Sequence, residues 1–139
     1  MSLVIDASIA IKWIVPEADT REALALRRTR LFAPDLLIPE CANVLWKKVR
    51  RNELRPAEAL FAARLIERAD IELQPMRSLM EPAARLAIAL DHPAYDCFYL
   101  ALAQVLESEF ITADRAFYQK AVSHGERLPV RLLRPVRQC

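Results

Sequence analysis

The sequence predicts an α/β domain whose parallel sheet is covered by helices on both faces, and three observations carry that expectation. Short continuous apolar runs, Leu3-Val4-Ile5 and Phe110-Ile111-Thr112, stop abruptly at or near a carboxylate, as fully buried parallel strands do. Such runs alternate along the chain with segments of helical period. Ala94 to Leu106 is apolar on every side of a helix, with Asp96 and Gln104 its only strongly polar members, and a helix of that kind is buried rather than amphipathic.

Taken in order, Leu3–Ile5 is the first strand and ends at Asp6. Ser8 to Val15 reads as a short apolar helix closed by Pro16, and Asp19 to Arg30 as an amphipathic helix with Ala23, Leu24 and Leu26 on its buried side. Leu31-Phe32-Ala33 is a second, weaker strand signal. Asp35 to Arg51 has helical period but is interrupted by Pro39, which suits a first turn and disfavours α geometry just before it. Two readings follow. Either the regular helix starts at Pro39, placing Glu40 in its first turn, or a short turn over Asp35–Ile38 kinks into it. Ala42, Val44, Leu45 and Val49 are its expected inner face.

Pro56 to Ala69 is a helix with Ala57, Leu60, Phe61 and Leu65 as its apolar stripe, Ile71–Gln74 alternates like a strand, and Leu79 to Leu90 is an alanine-rich helix. After Ala94–Leu106 and the Phe110–Thr112 strand come a helix over Arg115–Ser123 and a last strand at Val130–Leu133. There is no internal repeat, low-complexity tract or interdomain linker, and 139 residues suit one domain, 1–139.

Composition excludes several classes. At 54% apolar residues the chain is expected to fill a core rather than stay disordered. No apolar run reaches ~18 residues, and the start, Met1-Ser2-Leu3-Val4-Ile5-Asp6, lacks the basic and long apolar parts of a signal peptide. A cytoplasmic protein with no membrane association is the expectation. Cys41, Cys97 and Cys139 are scattered, which argues against a zinc site or a disulfide framework. The one glycine, Gly125, cannot supply a phosphate loop or a dinucleotide fingerprint, and His92 and His124 fit no HExxH motif. Chemistry, if present, rests on carboxylates. Net charge is only +2, yet arginine and lysine cluster at Arg27–Arg30, at Lys47–Arg51 and along Arg127, Arg131, Arg134 and Arg137, which suits a polyanionic partner.

Four acids lie where a strand or turn feeds a helix: Asp6, Glu40, Asp96 and Asp114. Asp6 and Asp114 follow apolar strands, while Glu40 and Asp96 belong to first turns, where the helix dipole favours negative charge. Ser8 is two residues from Asp6, Thr112 two from Asp114, and Asn43 one turn from Glu40. Each acid alone is as well explained as a cap or a solvated turn residue. Together they form a different object. Two carboxylates ~4 Å apart repel by roughly 4 kcal/mol at an effective dielectric of 20, so a cluster calls for protons, basic partners or a divalent cation. Oxygen ligands of this kind suit Mg²⁺ or Mn²⁺, ions able to activate water and neutralise charge on a phosphodiester.

Val4-Ile5-Asp6-Ala7-Ser8, Pro39-Glu40-Cys41-Ala42-Asn43, Tyr95-Asp96-Cys97-Phe98-Tyr99-Leu100-Ala101-Leu102-Ala103 and Thr112-Ala113-Asp114 resemble, in this order, the motifs of PIN-domain ribonucleases, and within them the VapC-type toxins of bacterial toxin–antitoxin pairs. The resemblance implies a three-layer α/β/α domain with a central five-stranded parallel sheet and a Mg²⁺- or Mn²⁺-dependent endoribonuclease acting on RNA. It implies Asp6, Glu40, Asp96 and Asp114 as metal-binding catalytic residues, with Ser8, Asn43 and Thr112 in support. It also implies a homodimer and a cognate antitoxin; for the dimer surface, the apolar composition points to Leu60–Leu65 and Leu79–Leu90. Three other readings compete: a PIN nuclease of RNA processing outside any toxin pair, a haloacid-type phosphatase, and a non-catalytic interaction module. The phosphatase pattern wants a second Asp two residues after the first, where this chain has Ser8.

Overall fold

A computed structural model describes residues 1–134; Arg137 of the basic tail and Cys139 lie outside the described residues. Five strands, β1 (Ser2–Ile5), β2 (Arg30–Pro34), β3 (Glu72–Gln74), β4 (Glu109–Thr112) and β5 (Val130–Leu132), form one sheet in the order β3-β2-β1-β4-β5. Every neighbouring pair is parallel. Successive side chains of a strand point to opposite faces, yet Leu3, Val4 and Ile5 are all buried, as are Phe110 and Ile111. Both faces of the central strands are therefore covered, which is the expected three-layer α/β class.

Seven α-helices connect the strands among the described residues: α1 (Ala7–Ile14), α2 (Thr20–Ala25), α3 (Leu37–Arg50), α4 (Pro56–Glu67), α5 (Met80–Leu90), α6 (Ala94–Val105) and α7 (Arg115–Ser123). The all-apolar α6 packs across β2, β1 and β4 and against α5, with Tyr99, Leu100, Ala101 and Ala103 fully buried. α1 packs on β1 and β4. Trp13 fastens α1 to α2 by donating its indole N–H to the carbonyl of Ala23 (2.8 Å). Tyr99 stacks on Phe110, which meets Phe117 at a tilt, in a row of rings through the core.

Three expectations need correction. The helix expected over Asp19–Arg30 ends at Ala25 and tightens into a 3-10 turn, Leu26–Arg28, because Arg30 is already paired with Ser2 in the sheet. Only Ala23 of its expected inner face is buried; Leu24 is exposed and Leu26 half-buried. α3 starts at Leu37, two residues before Pro39, and tolerates the proline because first-turn amides have no intrahelical acceptor to lose. Its buried row is Leu37, Cys41 and Leu45, leaving Val44 and Val49 half-buried and Ala42 exposed. In α4 the buried side is Ala59, Ala62 and Ile66, and the stripe of Leu60, Phe61 and Leu65 faces outward. Both registers of α4 have helical period, and the alanine face wins because small side chains let it approach α3 closely.

With one glycine in the chain, three turns rest on non-glycine residues in the left-handed region, Asn52, Asp91 and Glu107. Asp91 caps α5, and its carbonyl accepts a bond from Lys120 of α7 (2.7 Å).

Candidate active site

The strand order reverses direction between β1 and β4, and in open α/β sheets the ligand crevice lies beyond the carboxyl ends at such a point. Asp6 directly follows β1, and Asp114 follows β4 by two residues. α3 and α6 begin on the same side and bring Glu40 and Asp96 in their first turns. All four acids, with Ser8, line one cleft of about 330 Å³. The four acids thus share one cleft, though no three of them are drawn together tightly enough to form a metal-sized cage. Thr112 stands behind the cleft, fully buried, while Asn43 is exposed on α3 and outside the lining.

Each acid is held by donors from its own surroundings. Asp6 accepts hydrogen bonds from the hydroxyls of Ser8 (2.5 Å) and Thr112 (2.7 Å). Those hydroxyls in turn accept the backbone N–H of Ala113 (3.0 Å) and Asp114 (3.1 Å), so one network ties the end of β1 to the end of β4. Glu40 accepts from the phenol of Tyr99 (2.6 Å). The imidazole of His92 donates from Nε2 to Asp96 (2.7 Å), with its ring against Phe117. Asp114 caps α7 by accepting from the amide of Phe117 (3.1 Å).

Burial pushes the Asp6 carboxyl up to about 7, against the pull of Ser8 and Thr112, and the charges of Asp96 and Glu40 push the same way. Glu40 is raised by burial and by Asp96, opposed by the Tyr99 bond. Asp96 is raised by burial and by Asp114, opposed by His92. Three carboxyls are therefore strained toward protonation by the same cause: too much negative charge in too little water. None of the four is paired with a lysine or arginine among the described residues.

The donor set fits a hard divalent cation, because it is all oxygen and under-compensated. It does not form a ready-made cage: no three acidic, histidine or cysteine side chains among the described residues are close enough to grip an ion together. Mg²⁺ suits that arrangement, since it keeps several waters and needs only one or two carboxylates.

Comparison with known proteins decides the family. The PIN-domain family model matches residues 3–123. The chain belongs to the PIN-domain family. A curated relative, ribonuclease VapC3 of Pyrobaculum aerophilum, is 31% identical over 127 residues, covering 86% of this chain and 95% of the relative. Among solved structures, PAE2754 from Pyrobaculum aerophilum superposes with a TM-score of 0.68 at 23% identity, covering 86% of this chain and 79% of that one. VapBC2 from Rickettsia felis, bound to a DNA fragment from its promoter, gives 0.65 at 11% identity, covering 95% and 98%. At those identities the two structures speak for the fold alone, and both carry the PIN architecture found here.

In this PIN domain the two described cysteines, Cys41 and Cys97, are buried core filler. Burial, with help from neighbouring carboxylates, pushes the Cys41 thiol up to about 12 and the Cys97 thiol up to about 11, so neither is a nucleophile. Sequence reasoning missed Tyr99 and His92 as partners of the acids. His92 had a local signal, four residues before Asp96; Tyr99 reaches Glu40 across 59 residues and had none.

Proposed function

We propose that this PIN domain is a Mg²⁺- or Mn²⁺-dependent endoribonuclease and the toxin of a toxin–antitoxin pair. One observation carries the chemistry: four carboxylates from four separate elements share one cleft at the sheet's switch point, and none of them is ion-paired with a lysine or arginine among the described residues. The VapC name of its curated relatives supports RNA as substrate and an antitoxin as partner, and a structural relative is itself a VapBC complex.

Asp6, Glu40, Asp96 and Asp114 would hold the metal together with its retained waters, since no three of them as placed are close enough to grip it directly. When bound, it supplies charge neutralisation at the phosphodiester and a water of lowered pKa. The chain's own work is to keep a pit of negative charge open and oriented. Ser8 and Thr112 fix both oxygens of Asp6, and Tyr99 and His92 fix one oxygen each of Glu40 and Asp96. The Tyr99 phenol is pushed well up by burial and by Glu40, so it stays a donor. Asp114 is oriented by the start of α7.

The same reading includes a homodimer. Leu60, Phe61, Met80 and Ile88 of α4 and α5 are exposed at 61%, 57%, 65% and 82%, apolar surface that a partner copy would cover. No helix among the described residues is long and apolar enough to cross a membrane.

The test is cleavage of RNA by the purified chain with Mg²⁺ or Mn²⁺, with EDTA as control, alongside growth on expression with and without the adjacent reading frame. Metal-dependent cleavage and toxicity relieved by the neighbour are expected. Cleavage without growth arrest would favour RNA processing outside a toxin pair, and full activity in EDTA would contradict the metal reading.

A further inference from the structure

The acidic cleft has a second, cationic end. Lys12 of α1 lies one turn beyond Ser8, and Lys48 of α3 lies two turns beyond Glu40 with Val44 between, so the two ammonium groups derive from the same helix faces as the acids. At 1.5 Å per residue these offsets are about 6 Å and about 12 Å along their helices, and helical side chains lean toward the amino end, back toward the carboxylates. Both lysines line the same cleft as the acids. Their side chains are only 10% and 15% exposed, which is unusual for lysine without a partner.

The partner is Glu17, from the loop between α1 and α2. Its carboxylate bridges the pair, 2.7 Å from Lys12 Nζ and 2.9 Å from Lys48 Nζ. Burial pushes Glu17 up, but the two lysines outweigh it and hold the carboxyl below its ordinary range. The triad sets two cations against one anion. Neither lysine contacts Asp6, Glu40, Asp96 or Asp114, whose hydrogen bonds go to Ser8, Thr112, Tyr99, His92 and the Phe117 amide. The lysines are thus not spent on neutralising the acids. One net positive charge is left at the edge of an otherwise negative cleft, and each ammonium has three donors with one carboxylate partner among the described residues.

We propose that Lys12 and Lys48 form a subsite for an RNA backbone phosphate adjacent to the one being cut, with Glu17 as the internal anion that holds the pair in place. A phosphodiester brings the single negative charge the triad lacks, and lysine binds phosphate as a point charge without needing base identity. The subsite rests on the ribonuclease reading for its ligand. It explains why cations are buried beside a metal-type acid cluster yet kept off it: they engage the strand on one side of the scissile bond while the acids serve the bond itself.

The competing role is a staple that pins the loop carrying Glu17 onto α3. The two roles differ in sign. The probe is a fluorescein-labelled single-stranded RNA, followed by anisotropy in EDTA so that it is bound but not cut, across a salt series and with melting of every variant. Lys48→Met keeps the buried stem and removes the charge. It is expected to weaken binding by roughly tenfold at low salt and to flatten the log–log salt slope by about 0.7. Lys47→Gln removes the same charge one residue away on the exposed face and is expected to do far less. Glu17→Gln leaves both cations uncompensated and is expected to tighten binding several-fold even while lowering the melting temperature. A staple alone predicts lower melting for Glu17→Gln with no gain in affinity. The proposal is overturned if folded Lys48→Met binds like Lys47→Gln, or if Glu17→Gln, folded at the assay temperature, fails to bind more tightly. Cleavage of the same RNA with Mg²⁺ or Mn²⁺ is scored separately: wild type that binds with the expected variant pattern but never cuts removes the nuclease reading and leaves the phosphate subsite standing.

Discussion

Asp6→Asn should make the metal-free protein more stable, and the gain should depend on pH. Asp6 is 6% exposed, and its carboxyl is pushed up to about 7 from 3.8, mainly by burial. For an acid raised in the folded state, the native form binds the extra proton. Stability is therefore greatest below the unfolded value, falls as pH rises from about 4 to about 7, and is level beyond that. The gap from 3.8 to about 7 is worth ~4 kcal/mol at about 1.4 kcal/mol per pH unit. Asparagine keeps the shape and removes the charge. One of the hydroxyls of Ser8 and Thr112 must turn to accept from the new amide, at a cost of about 1 kcal/mol. The net gain expected above about pH 7 is ~2–3 kcal/mol, which for a domain of this size raises Tm by roughly 6–12 °C. At about pH 4 the advantage should vanish. Thermal melting in EDTA at several pH values reads this directly. An Asp6→Asn protein that melts at or below wild type near neutral pH, or whose advantage does not grow between acid and neutral pH, would refute the charge-crowding argument.

Other expectations follow from the same contacts. Tyr99→Phe removes the only hydroxyl donor to Glu40 among the described residues and should reduce RNA cleavage by roughly tenfold or more, with the fold kept, as judged by melting. Thr112→Val frees one oxygen of Asp6 and the amide of Asp114 together; cleavage should fall and Tm should drop by a few degrees, because a buried donor is left unpaired. Glu107→Gly should stabilise the protein by about 1 kcal/mol, since Glu107 ends α6 at a φ of 52°, where glycine has no steric penalty; denaturant unfolding measures it. Phe61→Glu combined with Ile88→Glu should leave a folded monomer by light scattering, whereas an unchanged dimer would place the interface elsewhere.

How far these features could be read from the chain depends on how local their causes are. Asp6 and Asp114 were legible because an apolar run stopping at an acid is a strand end, and strand ends of a parallel sheet share one edge. Glu40 and Asp96 were legible as first-turn acids, and Ser8 and Thr112 by their two-residue spacing from an acid. Asn43 shows the weakness of spacing alone: three residues from Glu40, it still faces solvent outside the cleft lining. The inner face of α4 was misread because alanine carries little hydrophobic weight, so the larger Leu60, Phe61 and Leu65 dominated the period although the buried side is Ala59, Ala62 and Ile66. The premature end of α2 is set by the pairing of Arg30 with Ser2 in β1, and the Tyr99–Glu40 and Lys12–Glu17–Lys48 contacts join separate elements. Such tertiary causes leave no periodic trace.

The most direct test of the central claim is RNA cleavage by Asp96→Asn. Asp96 faces the cleft from the first turn of α6, and the substitution keeps its volume and an acceptor for His92 while removing one negative charge from the metal-type pit. If the four acids hold a divalent cation, cleavage with Mg²⁺ or Mn²⁺ falls by orders of magnitude while melting in EDTA is unchanged or slightly raised. If Asp96 merely begins a helix, asparagine serves equally well and activity persists. Near-wild-type cleavage by folded Asp96→Asn would contradict the account.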